Sequence, residues 1–439
     1  MDAKALIKKV YFSKEKMKNH DFINSRKLYI YEGSFATGIM ALTSGAFLAG
    51  FAKYMGASDQ FNGIVAAIPA FAGIIQILSP VIFEKLEHRK LLICILSICF
   101  RMLLSAMVLI PIAFSQTGLR LGSLAIIYTL AYILGSFIGP PVGNWIIDLT
   151  PEHIRGNYCA VKDMYALLFM TVLTLFCGKL LDYFKYIDKE YNGFLIIGAI
   201  AFVMTIIHFF IISSIKEPMA HKSSFHIDLK KAITEPFANK QFRKIIIFSA
   251  LWNIGFCMAN PFFSVYMVAN LKLDYTYIMI VGVVSTLVRV STTKLWGRFA
   301  DRNSWFLSTK LSIAMVAIAH STWFFINPQT MWVLIPVAYI IGGFAWAGVN
   351  ISIFNIQFQY APKDGRTMYV GTSAAIGGLL GFTSSIIGSI ILSIVGTKII
   401  KLGIFAISNM QIIFAISGIA LFICAIYIHY FIKQVVIDA

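Results

Sequence analysis

The hydrophobic positions of this 439-residue chain are grouped in long, nearly uninterrupted stretches, separated by short segments that carry most of the charge. A helix of roughly 20 apolar residues crosses the hydrocarbon core of a bilayer. The stretches do not alternate in short segments as the strands of a membrane β-barrel do, so they predict an all-α integral membrane protein. Twelve transmembrane helices are predicted, at residues 28–54, 60–83, 91–114, 121–147, 158–181, 192–214, 245–270, 275–297, 306–326, 331–358, 369–396 and 403–432.

Composition supports this fold class. Hydrophobic residues make up 58% of the chain and charged residues only 13%, about half the charged fraction of an ordinary soluble domain. Such a chain has too few polar residues to cover a water-facing surface, which excludes a soluble enzyme, a disordered chain and a coiled coil. The basic residues behind the net charge of +17 lie mainly in loops, where they indicate the orientation of the protein in the membrane. The lipid bilayer is therefore the expected partner, and nucleic acid is not.

The positions of the basic residues predict orientation. With both termini in the cytoplasm, 26 of the 37 Lys and Arg residues fall in cytoplasmic segments and eight in external ones. Cytoplasmic loops of membrane proteins carry an excess of Lys and Arg. We therefore expect a multi-pass protein of the cytoplasmic membrane with both termini inside.

An internal repeat predicts two pseudo-symmetric six-helix bundles. We expect an N-terminal bundle with its tail at 1–214, a cytoplasmic connecting loop at 215–244 and a C-terminal bundle at 245–439. A pattern of four residues recurs at an offset of 211 positions, as Asn144, Pro151, Arg155 and Tyr158 and again as Asn355, Pro362, Arg366 and Tyr369. Two such bundles facing each other across a substrate path are typical of secondary transporters.

The loop between the eighth and ninth spans contains Gly297, three further residues, and then Asp301-Arg302. With this motif the chain resembles the major facilitator superfamily over nearly its whole length. The first-half copy departs from the pattern, with Pro80 in place of Gly and Glu84-Lys85 in place of Asp-Arg. The segments Tyr31–Gly33 and Pro151–Gly156, with Arg101, resemble a bacterial branch whose substrates are mostly unassigned.

The resemblance implies the major facilitator fold, and a latch of the outward-facing state at Asp301 and Arg302. Ion pairs that form in one state and break in the other are expected at the cytoplasmic ends of the helices. The predicted cytoplasmic gate is Glu84, Arg155, Gly297, Asp301, Arg302 and Arg366.

Ionisable residues inside a bilayer are costly and are therefore functional candidates. The coupling or buried-charge candidates are Glu32, Arg101, Lys162 and Asp163. Because the resemblance places the third span outside the cavity, Arg101 is expected to turn inward and pair with Glu32 or Asp148. A gate or salt-bridge role is favoured for Lys162 and Asp163, and His208 and His320 are interpreted as packing histidines.

Neutral polar and aromatic residues at helical spacing on the expected lining spans are the substrate-cavity candidates, together with one cation. They are Tyr128, Tyr132, Asn253, Asn260, Arg289, Trp346 and Asn350. The alternative interpretation of the neutral residues is interhelical hydrogen bonding, and that of Arg289 is a structural ion pair. A cavity lined in this way suits an amphipathic or weakly anionic organic solute.

The predicted function is secondary active transport of a small organic solute by alternating access. The sequence contains no Walker-type phosphate-binding motif, no metal-site motif and no catalytic serine motif, so we expect no enzyme activity, no cofactor and no metal. Glu32 and Asp163 are the candidates for proton coupling, with another ion or facilitated diffusion left open. The alternative is a non-transporting sensor or scaffold that retains the fold. We expect a monomer.

Overall fold

The computed structural model describes residues 10–12, 17–83, 86, 88–218, 229–362, 366–396, 400–402 and 405–432. Sixteen α-helices lie within these ranges, and the all-α prediction is confirmed. The helices of the first half are α1 (Asn19–Leu42), α2 (Gly45–Tyr54), α3 (Asp59–Ala72), α4 (Ser79–Phe83), α5 (Lys90–Ala106), α6 (Ile110–Ala113), α7 (Thr117–Leu149), α8 (Glu152–Tyr186) and α9 (Glu190–Ser214).

The second half continues after a short helix in the segment that joins the halves. Its elements are α10 (Leu229–Ala238), α11 (Lys240–Val265), α12 (Tyr275–Arg302), α13 (Trp305–Thr322), α14 (Met331–Tyr360), α15 (Arg366–Val395), β1 (Ile400–Leu402), β2 (Phe405–Ile407) and α16 (Asn409–Phe431). The helix α10 lies within the segment 215–244, which the sequence predicts as a connecting loop.

Ten helical segments among the described residues are long and apolar enough to cross a membrane. The second and ninth predicted spans are helical too, but shorter. In the second, Pro69 lies inside α3 and a 3-10 turn at Gly73–Leu78 separates α3 from α4. The ninth is α13, followed by a 3-10 turn at Trp323–Phe325. The prediction of twelve membrane segments is thus consistent with the structure.

The predicted start of the twelfth span at residue 403 is wrong. The strands β1 and β2 pair antiparallel, with Ile400 opposite Ile407, and α16 begins only at Asn409. At that start the backbone N–H of Ser408 donates to the Gln411 side chain at 2.7 Å. Apolar strand residues adjoin an apolar helix without a break in hydropathy, so the pattern alone merges the two.

The first of two compact units comprises Met1–Ala57, Ile75–His226 and Asp274–Thr276. Within it α1 packs on α8 and α9, α5 packs on α7 and α9, and α8 contacts α9. Its core includes a cluster in which Tyr29, Trp145 and Ile212 are each less than 5% exposed. These residues come from α1, α7 and α9, so the cluster joins three helices.

The second unit comprises Ser58–Ile74, Ile227–Leu273 and Tyr277–Ala439. Within it α11 packs on α15 and α16, and α13 packs on α14 and α16. In terms of the predicted spans, span 7 contacts spans 11 and 12, and span 9 contacts spans 10 and 12. In the first unit, span 1 contacts spans 5 and 6, and span 3 contacts spans 4 and 6. The two units therefore repeat one pattern of helix pairing.

The helix α3 belongs to the second unit, although the sequence predicts it as part of the N-terminal bundle. It packs on α11 and α15. At Gly63 an added methyl group would overlap the ring of the fully buried Phe262, so this glycine permits the close approach of α3 to α11. The division of the chain at 215–244 stays a prediction.

Large apolar side chains remain uncovered on the outer faces of several helices. Val172 is 69% exposed, Ile112 67% and Ile394 80%. Helices with apolar residues on every face require an apolar surrounding on the side that no other helix covers. The protein is therefore a multi-pass membrane protein.

Candidate functional site

A buried charged cluster lies inside the first unit, where α1, α5 and α9 meet. Glu32 on α1 is 5% exposed, Arg101 on α5 is 7% exposed, and His208 on α9 is fully buried. The Nε2 atom of His208 lies 2.8 Å from Oε1 of Glu32. We refer to Glu32, Arg101 and His208 as the α1–α5–α9 cluster.

The structure corrects the interpretation of His208. The sequence suggests a packing histidine, but His208 is the hydrogen-bonding partner of Glu32. The two residues are 176 positions apart, so no local pattern links them, and only the packing of α9 on α1 brings them together. Its second ring nitrogen, Nδ1, is buried and has no hydrogen-bond partner among the described residues.

Arg101 is turned inward, as predicted, but it forms no direct ion pair with Glu32 or Asp148. Its Nη1 atom donates to the Ser97 hydroxyl at 2.5 Å, one helical turn away, and the guanidinium lies over the ring of Phe100. It interacts with Glu32 only at longer range. A serine at i−4 on the same helix is nearer than a carboxylate on another helix, which explains the arrangement.

Lys162 and Asp163 form a pair with each other. The Nζ atom of Lys162 lies 2.8 Å from Oδ1 of Asp163, whose side chain is 65% exposed. The stem of Lys162 lies beside Gly33 on α1, next to Glu32 in the sequence. An exposed pair of this kind contributes little stability, and the lysine already neutralises the Asp163 carboxylate.

Tyr128 and Tyr132 are both in the interior of the first unit. Their hydroxyls lie 3.3 Å apart, and Tyr132 packs edge-on against Phe100 on α5. This packing links the two tyrosines to the helix that carries Arg101. Their assignment to a substrate cavity stays a prediction.

The remaining cavity candidates belong to the second unit. Asn253 donates to the Ser249 carbonyl at 2.8 Å and contacts α15 at Gly377, which fits the interhelical alternative. Trp346 on α14 packs edge-on against Trp252 and Phe256 of α11. The polar candidates with accessible side chains are Asn260, Arg289 and Asn350.

Arg289 on α12 is half-buried, and its guanidinium has no ion pair within the part of the chain that the structure describes. A half-buried arginine in an apolar helix is costly unless a partner or water reaches it. Arg289 and Asn350 are therefore available to an anionic group. No cluster of three potential metal ligands occurs among the described residues.

The predicted cytoplasmic gate is described only in part. Glu84 lies outside the described residues, as do the side chains of Arg155 and Arg366. Open space surrounds Gly297. Asp301 and Arg302 are exposed and form no ion pair with any residue that the structure describes, so the latch role stays a prediction.

Sequence reasoning missed an anchor at the end of α9, formed by the residues Ile215–Glu217. Both carboxylate oxygens of Glu217 accept backbone N–H groups at the start of α5, from Arg89 at 3.0 Å and Lys90 at 3.2 Å. The Lys216 carbonyl accepts a hydrogen bond from Trp145 on α7. A carboxylate at a helix N-terminus satisfies free donors and complements the helix dipole, so Glu217 caps α5 from a distance.

Burial raises the pKa of Glu217 above its ordinary value, although the two backbone N–H groups oppose the shift. A raised pKa means that the folded protein binds the proton more tightly than the unfolded chain does. The stability contribution is therefore full below the ordinary pKa and is lost as pH rises through the folded value. We expect Glu217→Gln to reduce this loss of stability with rising pH, measured by thermal unfolding in detergent across acidic and neutral pH.

Glu235→Gln is the matched control for this experiment, since Glu235 is an exposed carboxylate of α10. The wild-type pH dependence should persist in the control. Equal pH profiles for Glu217→Gln and the wild type would contradict the raised pKa of Glu217.

A second anchor that the sequence does not reveal holds the start of α12. Asp182 near the end of α8 accepts the backbone N–H groups of Tyr275 and Thr276, both at 2.8 Å, and the Thr276 hydroxyl at 2.5 Å. The ring of Tyr275 inserts against Gly50 and stacks on Phe47. All these residues lie in the first unit, although α12 continues in the second from Tyr277.

Ten long apolar helices among the described residues, two units with the same helix pairing and a buried ionisable cluster together are typical of a polytopic transporter built from a duplicated bundle. The family model of the Major Facilitator Superfamily matches residues 30–385. The chain belongs to this family. It is a secondary transporter of a small solute and not an enzyme, as the sequence predicts. No curated protein sequence matches the chain.

Solved structures of transporters share the fold. A mutant of the nucleoside transporter NupG is similar with a TM-score of 0.72 and 15% identity, over 93% of this chain and 100% of that one. A D-xylose–proton symporter is similar with a TM-score of 0.65 and 12% identity, over 94% and 97%. A bacterial homologue of the human lysosomal transporter Spinster, in an inward-facing and occupied conformation, is similar with a TM-score of 0.63 and 13% identity. This similarity covers 95% of this chain and 97% of that one.

Proposed function

We propose that this protein couples the movement of a small organic solute across the cytoplasmic membrane to protons, by alternating access. The observation that carries the proposal is the burial of Glu32 against His208 in the core of the first unit. A carboxylate at that depth is costly and persists in a membrane protein when its charge serves a function. The similarity to a proton symporter supports the same conclusion.

Glu32 is the better of the two coupling candidates. Its environment excludes water, so gaining or losing a proton changes a buried charge and therefore changes the relative stability of conformations. Asp163 is exposed and already neutralised by Lys162, so its protonation changes little. We therefore assign the coupling role to Glu32 and a structural ion pair to Lys162 and Asp163.

The solute class that the second unit favours is a small amphipathic molecule with a weakly anionic group. Trp346 presents an aromatic face, while Asn350 and Arg289 are accessible donors on the neighbouring helices α14 and α12. An aromatic surface with a few convergent polar groups is typical of small-molecule sites. The solutes of the structurally similar proteins, nucleosides and xylose by name, are included among the compounds to test.

The orientation follows from the distribution of basic residues, and we propose both termini in the cytoplasm and a monomeric transporter. Cysteine substitutions at the exposed positions Arg302 and Lys272 test this orientation. In intact cells an impermeant thiol reagent should label position 272 and spare position 302.

A thermal-shift screen of the purified protein against metabolites would identify a ligand, and proteoliposomes would then measure its flux. We expect Glu32→Gln to abolish accumulation driven by a pH gradient while exchange at equal pH continues, because the carboxamide cannot carry the proton. Asp163→Asn is the matched control and should retain both activities.

Accumulation that survives in Glu32→Gln would contradict proton coupling at this residue. A complete lack of flux for every ligand that binds would instead favour a sensor or scaffold that retains the fold. The two results are distinguishable because ligand binding is measured first.

A further inference from the structure

The α1–α5–α9 cluster contains a histidine to which the proposed coupling step assigns no role. We propose that His208 and Glu32 together form the proton site, sharing one exchangeable proton between Nε2 and Oε1, while Arg101 supplies the fixed balancing charge. This inference rests on the proposed function, because it specifies the group that works with Glu32.

The contact geometry requires a proton between the two side chains. The Nε2–Oε1 separation of 2.8 Å is a hydrogen-bond distance, and two acceptors without a proton would repel each other there. With a single proton, the pair is a carboxylate that accepts the N–H of Nε2, while Nδ1 is bare, and it carries one negative charge. A carboxylic acid that donates to a bare Nε2 requires a second proton, on Nδ1, and makes the pair neutral.

Counting charges identifies the protonation state that fits the described conformation. With one shared proton, Glu32 and His208 together carry one negative charge, and Arg101 balances it. A second proton would give the cluster a net positive charge in a core that excludes water. It would also convert the pair to a neutral acid beside a neutral imidazole, or to a carboxylate beside an imidazolium.

In the imidazolium form the second proton resides on Nδ1, which is buried and has no hydrogen-bond partner among the described residues. An unpaired buried N–H is costly, and the Nε atom of Arg101, also buried, has no described partner either. The conformation therefore suits the singly protonated pair, and binding a second proton favours a conformation that opens this core. That is the differential stability that coupling needs.

The other groups that face Glu32 leave His208 as its direct partner. Tyr29 on the same helix donates its hydroxyl to the Val142 carbonyl of α7, and Tyr158 on α8 donates to the Arg26 carbonyl. Lys162, also on α8, is paired with Asp163. The titratable or charged groups that interact with Glu32 are Tyr29, Cys94, Arg101, Tyr158, Lys162 and His208.

The second unit provides a matched control. His320 on α13 is also buried, but its Nδ1 atom pairs with the Ser417 hydroxyl at 2.7 Å, and the rings of Phe256 and Phe263 surround it. A hydroxyl cannot hold the balancing negative charge that Glu32 supplies. The two histidines thus share burial and differ in the chemistry of the partner.

Nuclear magnetic resonance of the ¹⁵N-histidine-labelled protein in lipid nanodiscs tests the pair without any solute. The resonances of His208 and His320 are identified by their loss in His208→Gln and His320→Gln. We expect Glu32→Gln to shift the His208 resonance and its pH response, and to leave the His320 resonance in place. A His208 resonance that Glu32→Gln does not move would overturn the inference.

If His208→Gln does not fold, the wild-type and Glu32→Gln spectra still test the shared-proton pair. The His320 resonance is assigned separately, and one other histidine resonance must differ between the two spectra. In proteoliposomes loaded with the ligand from the thermal-shift screen, His208→Gln should displace the pH midpoint of exchange by about one unit or more, and His320→Gln should not. Equal displacement by both variants would overturn the inference.

The outcomes for the pair and for coupling are separable. If Glu32→Gln moves the His208 resonance but pH-driven accumulation survives, the shared-proton pair is supported and the proposed coupling function fails. If accumulation is lost while the His208 resonance stays in place, coupling through Glu32 is supported and the pair is refuted.

Discussion

Replacing Arg101 by Met is expected to destabilise the protein by about 1–3 kcal/mol, because the buried Glu32 carboxylate loses a compensating charge that acts at longer range than a direct ion pair. Arg101 carries the positive charge that balances the Glu32 carboxylate in the interior of the first unit. Without it, the carboxylate keeps only the His208 hydrogen bond. The measurement is reversible unfolding of the purified protein in mixtures of mild and denaturing detergents.

Two further variants make this result specific. Arg289→Met removes an arginine that is only half-buried and has no described ion pair, so it should cost less than about 1 kcal/mol. The double variant Arg101→Met, Glu32→Gln removes both charges and should recover most of the loss, because no uncompensated charge remains. Failure of the double variant to recover stability would show that Arg101 acts by packing alone.

The second large effect is expected at Asp182, whose carboxylate holds the first two residues of α12. Asp182→Ala leaves two helix N-terminal N–H groups and one hydroxyl without this acceptor. Hydrogen bonds to a charged group contribute about 1.5–3 kcal/mol each, so exchange of the amide hydrogens of Tyr275 and Thr276 should accelerate roughly ten- to a hundredfold. Hydrogen–deuterium exchange with mass spectrometry measures this directly.

Asp274→Ala is the control, because Asp274 is an exposed carboxylate directly before α12 with no hydrogen bond to the residues that the structure describes. It should leave the exchange of both amides unchanged. Comparable acceleration in the two variants would mean that charge near the helix start, and not the Asp182 contact, protects these amides.

The fold was predictable to the extent that it depends on hydropathy. Each predicted span corresponds to a helical segment, because a bilayer admits few other ways of satisfying backbone hydrogen bonds. The limits of the elements were not predictable to the same degree. The hairpin at β1 and β2 and the 3-10 turn after α3 occur inside apolar sequence, and apolarity does not distinguish backbone conformations.

For the candidate site, the sequence allowed single residues to be predicted but not their partners. An embedded carboxylate such as Glu32 stands out in any apolar stretch, and its cost in lipid marks it as a candidate. Its partner was misjudged, because the sequence around His208 is apolar whether the histidine only packs against other side chains or also forms a hydrogen bond with a carboxylate. Glu217 and Asp182 were missed because their partners are backbone N–H groups, which no sequence pattern displays.

The sequence by itself determined that this chain resides in a membrane as a bundle of apolar helices and that its two halves repeat. These properties depend on the transfer of side chains from water to lipid, which is nearly additive along the chain. The tertiary structure decided which partner each ionisable side chain has: Glu32 for His208, Ser97 for Arg101, and Asp163 for Lys162. Such pairings depend on the rotation of each helix about its axis, which side-chain packing between distant segments sets.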